Sequence, residues 1–97
     1  MMTTVNVTTK HIVNAKGICS SMFCPVALAI HDVLKPGAYV SCGSRHVDVA
    51  ENIEAAYALR IELPKIASKF VKAFDSEKLV GPFAFDLEIP PDLLAVK

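Results

Sequence analysis

The chain has 97 residues, enough for one domain and too few for two, because each half would bury too little apolar surface to fold alone. Hydrophobic residues make up 53% of it and charged residues only 21%, which excludes an intrinsically disordered chain. Ten basic residues balance ten acidic ones, and this neutrality removes the bulk charge on which nonspecific nucleic-acid binding depends.

The same composition bears on location and partners. No apolar run approaches 18 residues, and the first ten residues lack the charged and apolar regions of a signal peptide, so we expect a cytoplasmic protein. The three cysteines are an odd number, which is typical of reduced thiols. A mean hydropathy of +0.41 is high for so small a chain and predicts an apolar face that meets a partner, either a second copy or another protein.

The first half of the chain predicts one strand and two helices. Val5 and Val7 alternate with polar residues as in a short strand, and Thr8 or Thr9 can cap a brief helix that follows. A second helix over 24–34 has Pro25 at its first position, where the missing N–H costs nothing. This helix has almost no polar face, so we expect it to be buried at the centre of the protein.

The second half predicts a hairpin, a further strand, a helix and a closing strand. The hairpin turns at Gly43, with Val47 and Val49 on one face and His46 and Asp48 on the other. The stretch 51–62 fits helix or strand, and alternation favours a strand over 56–62. Pro64 opens an amphipathic helix over 64–75, with its apolar stripe at Ile66, Phe70, Val71 and Phe74, and a strand over 83–89 closes the chain.

These elements predict a single α+β domain over 1–97. Their order is β-α-α-β-β-β-α-β, and short connections favour a mostly antiparallel sheet of about four to five strands. Two main helices, at about 24–34 and 64–75, and a short N-terminal helix would pack against it.

One group of residues suggests metal or thiol chemistry. Three thiolates and an imidazole, from Cys19, Cys24, Cys42 and His46, would complete a tetrahedral zinc site if they converged. The alternative is that these cysteines are small buried hydrophobic residues, since Cys42 and His46 flank a hairpin turn that can aim them at different faces. Cys24 at a helix N-terminus also suggests a nucleophile, and a capping role explains it equally well.

Two other sets of polar residues have functional and structural interpretations. His31 and Asp32 are adjacent, as a base and a carboxylate, but neighbours in a helix point about 100° apart and do not face each other. Lys65, Lys69 and Lys72 form a basic stripe that would suit phosphate groups or an acidic partner, or would simply keep one helix face hydrated. The sequence contains no glycine-rich phosphate loop, HExxH, GxSxG or paired CxxC motif, so we expect neither a cofactor nor an enzyme.

Four segments together resemble a known family: CPVALAI (24–30), LP (63–64), FVKAFD (70–75) and GPFAFDLEIP (81–90). The set is similar to small uncharacterised proteins of bacteriophage and prophage genomes, over the chain from Cys24 to Pro90. The resemblance implies a shared fold and a phage or bacterial origin, and a phage-encoded protein would act in the cytoplasm of its bacterial host. Its motifs are of packing type, so it implies no activity. Neither Cys19 nor Cys42 belongs to these motifs, which counts against a zinc site.

The sequence therefore favours a non-enzymatic interaction protein that contacts a host or phage protein and self-associates as a homodimer. A small nucleic-acid-binding module is the first alternative, if the lysine stripe joins Arg60 or Lys78 in one patch. A metal- or thiol-dependent protein is the second.

Overall fold

The computed structural model describes residues 2–15 and 24–95, and it confirms the α+β class and the predicted order of elements. Within these residues the strands and helices, named in chain order, are β1 (Met2–Val7), α1 (Thr9–Ala15), α2 (Pro25–Val33), β2 (Tyr39–Cys42), β3 (His46–Ala50), β4 (Leu59–Glu62), α3 (Lys65–Asp75) and β5 (Phe83–Glu88). A short 3₁₀ turn at Pro91–Leu93 follows.

The five antiparallel strands are divided between two small sheets. In one, β1 pairs with β5, and in the other the order is β2-β3-β4. Helix α2 contacts a strand of each sheet, β1 and β2. A helix that is apolar on nearly all sides can cover two sheets at once, which is why the strands need not form one continuous sheet.

Helix α2 is the centre of the core, as its sequence predicts. Five of its residues are buried, and Ile30 is fully so. The apolar sides of the strands surround it, with Val47 and Val49 of β3 completely buried and the intervening Asp48 half-buried on the opposite face. The predicted alternation of the hairpin is therefore confirmed.

Strand β4 is shorter than the strand expected over 56–62. Pairing with β3 begins at Leu59, which lies opposite Val49, and residues 51–58 form an exposed loop. The loop turns at Asn52, whose side-chain oxygen accepts a 2.9 Å hydrogen bond from the Glu54 N–H. Such a turn competes locally with strand or helix, and the alanines that follow bury no surface that would favour either.

The apolar stripe of helix α3 is the predicted one except at its first position, and Phe74 is half-buried against the core as predicted. Ala67, Phe70 and Val71 are buried, whereas Ile66 is 52% exposed, so placing Ile66 in the stripe was wrong. The spacing i, i+3 and i+4 from Ala67 already defines a face, and Ile66 lies about 100° away from Ala67 around the helix. No helix in the described part of the chain is long and apolar enough to cross a bilayer.

Candidate functional site

Strand β4 forms one edge of the three-stranded sheet, and this edge is open. It hydrogen-bonds to β3 on one side, and it stands last in the strand order. Leu59, Arg60 and Glu62 are exposed and Ile61 is only half-buried, so the described elements do not cover this edge. An uncovered strand presents unpaired N–H and C=O groups to another chain.

The backbone geometry shows which groups point outward. The Leu63 N–H donates to the Arg45 carbonyl over 2.8 Å, so the bonds to β3 are made by every second residue, Leu59, Ile61 and Leu63. The N–H and C=O groups of Arg60 and Glu62 therefore point away from β3. These two residues carry the hydrogen-bonding groups of the open edge.

Exposed apolar side chains lie on β4 and on the loop that precedes it. Tyr57 is 89% exposed, Ile53 71% and Leu59 45%. An open groove of about 820 Å³ lies along the loop and the start of β4, and its lining includes residues 54–59 together with Pro90, Asp92 and Leu93. We refer to the β4 edge, the 51–58 loop and this groove together as the edge surface.

Charged side chains occupy the outer face of β4. Arg60 makes a bidentate contact with Asp48 on β3, with Nε donating over 2.9 Å and Nη2 over 3.3 Å. The hydrogen bond and charge of Arg60 lower the pKa of Asp48. Glu62 lies opposite His46 on the same face. The outer face of β4 thus carries one basic and one acidic residue two positions apart.

The predicted lysine stripe lies on the exposed side of α3. Lys65, Lys69 and Lys72 all reach solvent, while the opposite side of the helix packs into the core. Arg60, which could have extended the stripe, is instead paired with Asp48 on the outer face of the sheet. A role for the stripe in binding stays a prediction, and its position is that of an ordinary hydrated helix face.

The structure brings together two of the four residues of the predicted metal site. Cys24 and Cys42 are both buried in the core, are not joined by a disulfide, and each shifts the pKa of the other. Cys24 also caps α2, because its Sγ accepts a 3.3 Å hydrogen bond from the Ala27 N–H, as the capping interpretation predicted. The Cys42 thiol donates to the Gly43 carbonyl oxygen over 3.3 Å.

The two thiols differ in acidity. A hydrogen bond from Cys42 is the main cause that lowers the pKa of Cys24, and it outweighs the opposing effect of burial. The same hydrogen bond, together with burial, raises the pKa of Cys42 well above its ordinary value. Cys24 is therefore the more acidic of the two thiols.

His46 does not join this cysteine pair. Cys42 lies opposite Val47 on the buried face, and His46 precedes Val47, so its side chain leaves the sheet on the other face. Cys19 lies outside the described residues. Among the residues that are described, no group of three or more His, Cys, Asp or Glu side chains could hold a metal ion. The structure therefore supports a pair of buried thiols, Cys24 and Cys42, in place of the four-residue metal site.

Asp32 pairs with a histidine other than its neighbour. Its Oδ2 lies 2.6 Å from Nε2 of His11 on α1, whereas Nε2 of His31 lies 3.0 Å from the Ala38 carbonyl oxygen. The expectation that His31 and Asp32 do not face each other is confirmed.

The His11 contact resembles a catalytic triad but serves as a helix cap. The Thr8 N–H donates to Nδ1 of His11 over 3.0 Å, and the His11 N–H lies 3.4 Å from the Thr8 hydroxyl oxygen. This reciprocal pattern is a capping box with histidine in the usual place of glutamate, which satisfies two N–H groups at the start of α1. A cap at Thr8 or Thr9 was predicted, whereas the return contact from His11, for which the Thr-x-x-His spacing was the signal, was not.

The chain matches no family model, no curated protein and no solved structure.

Proposed function

We propose that this chain is a non-enzymatic interaction protein that contacts another protein through its edge surface. The observation that carries the proposal is the open edge of β4 with Leu59 and Tyr57 exposed beside it. Single exposed apolar residues are normal, but apolar side chains next to unpaired backbone groups are the combination that strand-adding partners use. The resemblance to phage proteins suggests a host or phage protein in a bacterial cytoplasm as the natural setting.

The composition of the groove also supports a contact surface rather than a reaction centre. Its lining residues include carboxylates, an amide and a phenol, and they include no His, Cys, Lys or Arg. Two ionisable pairs that could suggest catalysis lie elsewhere: His11, held by the cap of α1, contacts the exposed Asp32, and Cys24 lies near Cys42 in the core, where capping and packing account for the cysteines. Neither pair lines the groove.

Site-specific photocrosslinking tests the proposal. A photoreactive phenylalanine analogue at Tyr57 is expected to give a discrete protein adduct, either with the chain itself or with a cellular protein. The matched control is the same analogue at Leu79, which is fully exposed but outside the groove. No adduct at position 57, or the same adducts at both positions, would contradict the proposal.

A further inference from the structure

The chemistry of the β4 edge identifies its partner. Building on the function proposed above, we infer that β4 pairs with β4 of a second copy of this chain. The two strands run antiparallel about a two-fold axis at Ile61, and two three-stranded sheets become one sheet of six. The inference stands on the open edge, the direction of its backbone groups and the charges on its outer face.

The outward backbone groups fit this pairing. Arg60 and Glu62 supply two N–H and two C=O groups per chain, all pointing away from β3. With the axis at Ile61, Arg60 of one copy lies opposite Glu62 of the other, and the reverse holds as well. Each opposed pair exchanges two hydrogen bonds, so four bonds satisfy every outward group of both residues.

The charges select this register over its neighbours. Moving the axis one residue toward the N-terminus places Arg60 opposite the second copy's Arg60. Moving it one residue toward the C-terminus places Glu62 opposite the second copy's Glu62 and Arg60 opposite Pro64, which has no N–H to donate. Directly opposed like charges are destabilising, whereas the axis at Ile61 gives two Arg–Glu pairs.

The Asp48 contact on β3 does not compete with the pairing. The guanidinium group has five N–H donors, and Asp48 engages Nε and Nη2 only. The remaining donors are left for the second copy's Glu62. Across the joined sheet the outer face would read Asp48, Arg60, then Glu62 and His46 of the second copy, which alternates acidic and basic side chains.

The inner face of the joint is apolar. Ile61 meets the second copy's Ile61 at the axis, and Leu59 meets the second copy's Leu63. Leu59 is the most exposed apolar residue of β4, so pairing would shield apolar surface that the single chain leaves in water. Next to this pair, Ala58 lies opposite the second copy's Pro64, and the hydrogen-bonded pairing of the two strands ends there. So short a joint predicts a weak, concentration-dependent dimer.

Charge reversal tests the inference directly. Arg60→Glu alone turns both Arg–Glu pairs into pairs of carboxylates, and Glu62→Arg alone turns both into pairs of guanidinium groups. Each single variant is therefore expected to raise the dimer Kd at least tenfold, a change of about 1.4 kcal/mol. An equimolar mixture of the two variants restores two opposite-charge pairs and is expected to dimerise again. The double variant Arg60→Glu with Glu62→Arg is expected to do so by itself.

Sedimentation equilibrium from about 10 µM to about 1 mM measures these associations in the range where weak constants are resolved. Lys65→Glu is the matched control, since it reverses an exposed charge outside β4 and is expected to leave the dimer intact. Thermal unfolding checks that each variant is folded, and Glu62→Gln, which leaves the Asp48 contact in place, gives a milder loss if a reversed variant does not fold.

Three results would overturn the inference: a monomeric wild type throughout, a dimer that neither single reversal weakens, or single variants whose mixture does not recover. The first leaves the proposed function standing if position 57 still crosslinks to a different protein. Loss of both the dimer and the crosslink overturns the proposed function as well.

Discussion

At the scale of single residues, Cys24 has the most distinctive environment. It caps the central helix, its sulfur accepts the Ala27 N–H, and hydrogen bonding by the nearby Cys42 thiol lowers its pKa. Hydrogen bonds to a sulfur favour its ionised form, whereas burial disfavours it. The environment of Cys24 therefore depends on a donor at position 42 more than on the helix N-terminus alone.

Replacing Cys42 is expected to change the acidity of Cys24. In a Cys19→Ala background, Cys42→Ala removes the strongest cause of the lowered pKa and leaves the opposing effect of burial, so the Cys24 pKa rises. Cys42→Ser keeps a hydroxyl donor of similar size and is expected to keep the pKa low. The ultraviolet absorbance of the thiolate, followed against pH, measures both. An unchanged Cys24 pKa in Cys42→Ala would refute the assigned donor.

At the scale of elements, helix α3 is held to the sheet of β1 and β5 by aromatic side chains. The ring of Phe70 lies 4.7 Å from that of Phe83, centroid to centroid, and Phe83 lies 5.6 Å from Phe85 along β5. Phe74 continues the row on the helix, 6.3 Å from Phe70. Phe70 thus joins helix α3 to the last strand of the chain.

Truncating this contact is expected to destabilise the fold. Phe70 is buried, and Phe70→Ala should lower the free energy of unfolding by about 3–5 kcal/mol through lost packing and the cavity it leaves. Ile66→Ala on the same helix removes a side chain that is half in water, and it should change the free energy by less than about 0.5 kcal/mol. Urea denaturation measures both values, and equal losses would show that the buried face of α3 is misassigned.

The elements that were predicted well are those whose hydrophobic pattern determines which face is buried. Alternation in β3 and the apolar run of α2 leave only one way to bury them, and both were predicted closely. The stretch 51–62 was predicted less closely. Alternating Tyr57 and Leu59 indicate a strand, but the side chain of Asn52 forms a turn in the chain before it. A local hydrogen bond of this kind outweighs a periodicity that buries nothing.

The candidate surface was also beyond the reach of the sequence. Arg60 and Glu62 become an edge only because β4 is last in its sheet, and strand order depends on pairing between distant segments. Likewise, the hairpin register turns Cys42 toward the core and His46 away from it, and the spacing of these residues does not define that register.

At the scale of the whole molecule, the core and the β4 edge differ in how completely they are covered. The buried core is continuous across both sheets and all the larger elements, whereas the β4 edge and the adjoining loop leave apolar side chains and backbone groups in water. Natural proteins protect such edges with charges or prolines. Here Arg60, Glu62 and Pro64 also discriminate between registers, so they disfavour indiscriminate pairing while permitting pairing with a second copy about Ile61.

Amide hydrogen exchange along β4, measured at low and high protein concentration, tests this central claim most directly. The Ile61 and Leu63 amides face β3 and should be protected at both concentrations. The Arg60 and Glu62 amides should exchange fast in dilute solution and become protected as concentration rises, and Arg60→Glu should abolish that change. Arg60 and Glu62 amides whose exchange rates do not depend on concentration would contradict the account.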